Sequence, residues 1–120
     1  MKYLLMIHLN PTLFESFTEE DRQAVFGAHD EFMKLTKESG EFVSSVALAD
    51  PSNSTTVRIR DEATTVTDGP YIEAKEFLAG YYIVDCETVE RAQELGALIP
   101  DAKFSGIEVR PVMNEAGLEM

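Results

Sequence analysis

Four side chains in this sequence are of types that move protons or hold a small organic molecule: His29, Asp68, Arg58 and Tyr82. An imidazole titrates near neutral pH, and a carboxylate beside it fixes its tautomer and raises its basicity. An imidazole so placed would suit proton abstraction, elimination or hydrolysis. Arg58 presents a planar fork of donors to an anionic group. Tyr82 carries a hydroxyl at the tip of an apolar ring.

Each of these residues also has a plainer reading. His29 stands between Val25 and Phe32 at helical spacing. Its ring therefore leans toward a core, and from position alone a histidine bonded at the core's edge is the better fit. Asp30 points elsewhere on the same helix. Asp68-Gly69-Pro70 is turn chemistry: the aspartate bonds nearby backbone, the glycine tolerates positive φ, and Pro70 stiffens the segment. Arg58 has many carboxylates in the chain to pair with.

Other chemistries find less support. His8 shares a strand face with Leu4 and Met6, which suits a half-buried packing role. Cys86 is the only cysteine; it has no base nearby in sequence and reads as inert. No metal-ligand spacing, phosphate-cradling glycine loop or nucleophile elbow is present, so neither a metal nor a cofactor is expected.

Something must position these side chains. Tyr3 to Leu9 is a continuous apolar run ended by Asn10-Pro11, as a strand covered on both faces would be. A helix follows, with Thr18 as N-cap and Glu19, Glu20 and Asp21 in its first turn; Ser16 with Glu19 is an alternative capping box. Its apolar stripe is Val25, Ala28, Phe32 and Leu35, and Gly40 closes it. Strands are expected over Glu41 to Ala49, around Val57 and Ile59, over Ala63 to Val66 and over Phe77 to Val84. Arg58 and Arg60 share the face opposite Val57 and Ile59, and Tyr81 and Tyr82 fall on opposite faces. Val89, Ala92, Leu95 and Ile99 mark a second helix, stopped by Pro100. Ile107, Val109 and Pro111 alternate with Glu108 and Arg110 in a last strand. Reduced to its main elements, the order is βαββαβ with an extra hairpin: an α+β, ferredoxin-like fold in a single domain over residues 1–120.

Composition bounds the partners. The 120 residues carry 22 acidic and 10 basic side chains, a formal charge of −12. Nucleic acid and anionic membrane surfaces are therefore excluded as expected partners. The opening apolar run is too short for a signal-peptide core or a membrane span, and one cysteine suits a reducing compartment, so a cytoplasmic location is expected. Two helices cover only one face of a ferredoxin-like sheet, yet the first strand and Phe77–Val84 are apolar on both. A homodimer packed sheet to sheet, with a cavity between, would cover the other face.

Several segments together carry a resemblance. "MKYLLMIHL", "AHDEFMKLTKESGEFV", "TTVRIRD", "TVTDGPYIEAKEFLAGYYIVD" and "IEVRPV" look like a YCII-related protein of the DGPF type, in the right order and over nearly the whole chain. The most specific element is Asp68-Gly69-Pro70-Tyr71 with Glu73, Lys75 and Glu76, where Tyr71 stands in place of the family's Phe. Asp61-Glu62 replaces the frequent Asp-Gly, which disfavours a tight primed turn. The resemblance implies a dimeric α/β barrel, bacterial origin and a His–Asp acid–base site, carried over by position onto His29 and Asp68. Arg58, Tyr82 and Tyr71 become the candidate substrate-binding residues.

Two functions follow as expectations. The first is a cofactor-independent lyase, isomerase or hydrolase acting on a small-molecule ligand. The second is a non-catalytic binding or regulatory module, with a weak link to an alternative sigma factor implied by the resemblance.

Overall fold

The computed structural model describes residues 1–72 and 75–117. Glu73, grouped in the sequence with Lys75 and Glu76 as a solvated segment or lid, lies outside the described residues. The elements are β1 (Lys2–Leu9), α1 (Pro11–Glu15), α2 (Glu19–Glu38), β2 (Phe42–Ala47), β3 (Thr55–Arg60), β4 (Ala63–Asp68), β5 (Phe77–Asp85), α3 (Val89–Leu98) and β6 (Gly106–Pro111). Strands β2-β5-β1-β6 form one four-stranded antiparallel sheet, and β3 and β4 form a separate two-stranded ribbon. This is the ferredoxin-like arrangement with the expected extra hairpin.

Strand β1 alternates strictly. Tyr3, Leu5, Ile7 and Leu9 are buried, while Lys2, Leu4, Met6 and His8 are half-buried on the other face. The buried set meets Phe32 from α2 and Ala92, Leu95 and Ile99 around α3, which together make the core. Both helices therefore lie on one side of the sheet. Among the described residues, no helix is long and apolar enough to cross a membrane.

Local signals explain where the helices start. Thr18 Oγ1 accepts from Asp21 N at 3.1 Å while the Asp21 carboxylate accepts from Thr18 N at 2.9 Å, a reciprocal cap that fixes the start of α2 at the expected place. The short helix α1 was hidden behind the Asn10-Pro11 turn signal. Asn10 Oδ1 accepts from Thr12 N at 2.9 Å, and Pro11 occupies the first turn, where its missing N–H is no loss.

The inner face of α2 differs from the expected stripe. Leu35 is 43% exposed, whereas Phe32 and Thr36 are buried. Thr36 can be inside because its hydroxyl donates to Phe32 O at 2.8 Å, so no polar group is stranded. The rotation turns His29 and Met33 inward with Phe32. On α3, Ala92, Leu95 and Ile99 are buried as their spacing predicts. Arg91 grips Glu41 at the entry to β2 through two 2.9 Å bonds. That grip holds the Glu41 carboxyl below its usual range.

The ribbon turn corrects one expectation. Asp61 and Glu62 both have positive φ, 50° and 65°, so a primed two-residue turn forms without a glycine. The strand register, Arg60 opposite Ala63, demands it. Left-handed backbone at a non-glycine residue costs about 1 kcal/mol. Glu62→Gly should relieve that strain and slow amide exchange in β3 and β4 roughly fivefold, measured by hydrogen–deuterium exchange.

A candidate acid–base site around His29

His29 sits midway along α2, on the face that leans toward β5 and the 3₁₀ turn Pro100–Lys103. Its Nδ1 lies 2.7 Å from Tyr82 Oη, and its Nε2 lies 2.6 Å from Asp101 Oδ1. Each partner is placed by a separate piece of local logic. Tyr82 is opposite Leu5 on β1 and so points to the helix side of the sheet. There Phe32 packs on its ring at 4.6 Å between centroids, with Phe42 at its edge. Asp101 opens the turn that Pro100 forces after α3. Its backbone carbonyl accepts from Ser105 N at 2.8 Å, which pins the turn.

The hydrogen-bond inventory fixes a sense to this chain. A carboxylate accepts only, so Nε2 carries the proton shared with Asp101, and Nδ1 is left as acceptor for the Tyr82 hydroxyl. Burial first, and then the negative charges of Asp101 and Asp30, push the Tyr82 phenol up to about 12. It is therefore a neutral donor throughout the neutral range. The His29 side chain keeps 20% of its surface exposed while Asp101 keeps 5%, so the histidine is the member of the triad that solvent or a ligand can reach.

A pH prediction follows. The Tyr82 pKa is raised from 10.0 to about 12 in the folded state, so its contribution is complete below pH 10 and disappears as pH rises toward 12. Such a displacement corresponds to roughly 2–3 kcal/mol. Denaturant titrations should show the parent chain losing that much more stability than Tyr82→Phe across this window.

Residues 1–116 match the family model of the YCII-related domain. The chain belongs to the YCII-related family. It is similar to an uncharacterized protein of Rhizobium meliloti, 25% identical over 114 residues that span 93% of this chain and 92% of the relative.

In this YCII-related chain, the sequence-derived candidates fall into two groups. His29 and Tyr82 are brought into direct contact. Asp68 is not their partner within the chain: it ends β4 opposite Thr55 in the ribbon, and both His29 nitrogens are engaged by Tyr82 and Asp101. The carboxylate that meets the imidazole is Asp101, so the His29–Asp68 pairing expected from sequence does not describe the geometry of one chain. Gly69, at φ 101°, donates to Ser54 O at 2.8 Å and closes the base of the ribbon, so this segment makes the turn its residue types favour. Arg58 and Tyr71 form the second group, with the guanidinium 5.1 Å above the phenol ring.

Sequence reasoning misses Asp101, because the Pro100 beside it reads as a helix stop. The available signal was a single acid set between apolar Ile99-Pro100 and Ala102, a pattern in which a buried carboxylate needs a partner. His8, half-buried as expected, bonds Glu108 at 3.1 Å on the face of the sheet away from the helices. Burial, reinforced by the charge of Glu41, pushes the Cys86 thiol up, in keeping with an inert role. Among the described residues, no group of His, Cys, Asp and Glu has the arrangement to hold a metal ion.

Proposed function

We propose that this YCII-related protein is a cofactor-independent acid–base enzyme of the lyase, isomerase or hydrolase kind, with His29 as the proton-transferring group. The observation that carries the reading is the part-exposed imidazole bonded on one side to a buried carboxylate and on the other to a neutral phenol. A substrate C–H or O–H set against the open edge of the ring would give its proton to Nδ1, displacing the tyrosine hydroxyl. The imidazolium so formed is held by Asp101. Tyr82, released from Nδ1, can donate to the oxygen on which negative charge builds. Returning the proton to a different atom of the substrate completes an isomerisation, and returning it to a departing group completes an elimination. Asp101 takes the orienting role that the sequence gave to Asp68.

The test is deuterium incorporation from heavy water into a panel of small carbonyl compounds with weakly acidic C–H bonds. The parent chain should catalyse exchange into at least one, and His29→Ala and Asp101→Asn should lower that rate by about a hundredfold or more. Exchange that persists unchanged in His29→Ala rules the reading out.

We also propose that two copies pack through the sheet face that the helices leave open. Leu4, Met6, Tyr81 and Ile83 are neighbours on that face. The ribbon adds Val57, Ile59 and Val66, which are 62%, 72% and 62% exposed. Apolar surface of this extent favours an interface, and a dimeric barrel with a cavity is the arrangement it suits. Light scattering at tens of micromolar should give twice the chain mass, and Ile83→Asp should halve it. A parent chain that scatters as a monomer excludes the arrangement.

A further inference from the structure

A cleft lies away from His29. It holds about 890 Å³ and opens between the end of β1, helix α1, the base of the ribbon and the start of β5. That volume is in the range of small-molecule sites, about 300–1,000 Å³. Neither His29, Tyr82 nor Asp101 lines it. His8, which does, projects from the opposite side of the sheet to Tyr82.

The lining divides into two kinds of surface. Leu48, Ile72, Phe77 and Leu78 supply apolar wall. Glu15, Asp50 and Glu76 supply carboxylates, and no lysine or arginine is among the described lining residues. Two of the polar groups are already committed. His8 Nε2 is bonded to Glu108, and the Asp50 carboxylate accepts from Ser52 N at 2.9 Å, which favours its ionised form. An anion entering the cleft would meet three carboxylates of like charge, with no lysine or arginine among the described lining residues to answer it. A neutral hydrocarbon would use the apolar wall but gain nothing from the carboxylates. A compact apolar body bearing one ammonium group satisfies both surfaces.

We propose that this cleft is a second ligand site, selective for small apolar amines and independent of the His29 site. The test is a titration of the isotope-labelled full chain with phenethylamine, phenethyl alcohol and phenylacetate, followed through backbone amide signals. Phenethylamine is expected to give saturable shifts at Leu48, Ser54 and Leu78. The alcohol should bind at least threefold more weakly, and phenylacetate should cause no saturable shift. The double variant Glu15→Gln, Glu76→Gln alters two exposed side chains and should keep the parent spectrum while weakening amine binding fivefold or more. The proposal is overturned if phenethylamine gives no saturable shift, if the three compounds bind alike, if the shifts gather around Tyr82 instead, or if the double variant binds the amine as tightly as the parent.

Discussion

Asp101→Ala is expected to destabilise the fold by about 3 kcal/mol and, on the proposed function, to abolish proton transfer at His29. The Asp101 side chain is 5% exposed and 2.6 Å from Nε2, so its removal leaves a part-buried N–H without its acceptor and a gap where the carboxylate packed. Hydrogen bonds to a charged group contribute about 1.5–3 kcal/mol, and the stranded donor adds its own desolvation. Asp101→Asn separates the two effects. An amide oxygen can still accept from Nε2, so about 1 kcal/mol of stability should be lost, yet the amide cannot stabilise an imidazolium. The rate of deuterium exchange should then fall in kcat by about a hundredfold or more with KM little changed. Denaturant unfolding and single-substrate kinetics on both variants check this. A loss below about 0.5 kcal/mol in the alanine variant would place Asp101 outside any buried network.

The second large effect is expected at Gly80. A Cβ built there would lie 2.4 Å from the Val46 carbonyl oxygen and 3.2 Å from Ala47 Cα. Both are backbone atoms of β2, so no side chain can swing aside. Gly80→Ala must push β2 away from β5, and overpacking of this kind costs about 3 kcal/mol. Tyr82, two residues along β5 and paired with Ser45, would be displaced with it. Loss of stability and of the proposed acid–base activity should therefore come together. Gly96→Ala is the contrast: its Cβ would meet the Ile107 side chain at an ordinary 3.5 Å, on a helix that gains from alanine. That variant should match the parent within about 0.5 kcal/mol or exceed it.

The parts of the fold that depend on short-range pattern were readable in advance. Strand and helix order, the Thr18 cap, the opposed Tyr81 and Tyr82, and the inward lean of His29 all follow from residue type and period. What sequence could not give was which distant acid meets the imidazole. Asp68 and Asp101 are both acids set in proline-containing turns, and the packing of α3 and its following turn against α2 is what brings Asp101 to the imidazole. Thr36 and Leu35 exchanged places for a similar reason: a hydroxyl that bonds back into its own helix is cheaper to bury than its polarity suggests. The resemblance pointed to an acid–base pair, and within one chain the acid that meets His29 lies outside the signature motif.

The ribbon has one more implication. Ala47 already pairs with Gly80, so β2 and β5 are joined as a simple antiparallel hairpin whose connecting loop holds everything from residue 48 to residue 76. A change of length within that excursion can therefore be absorbed while the main sheet keeps its register.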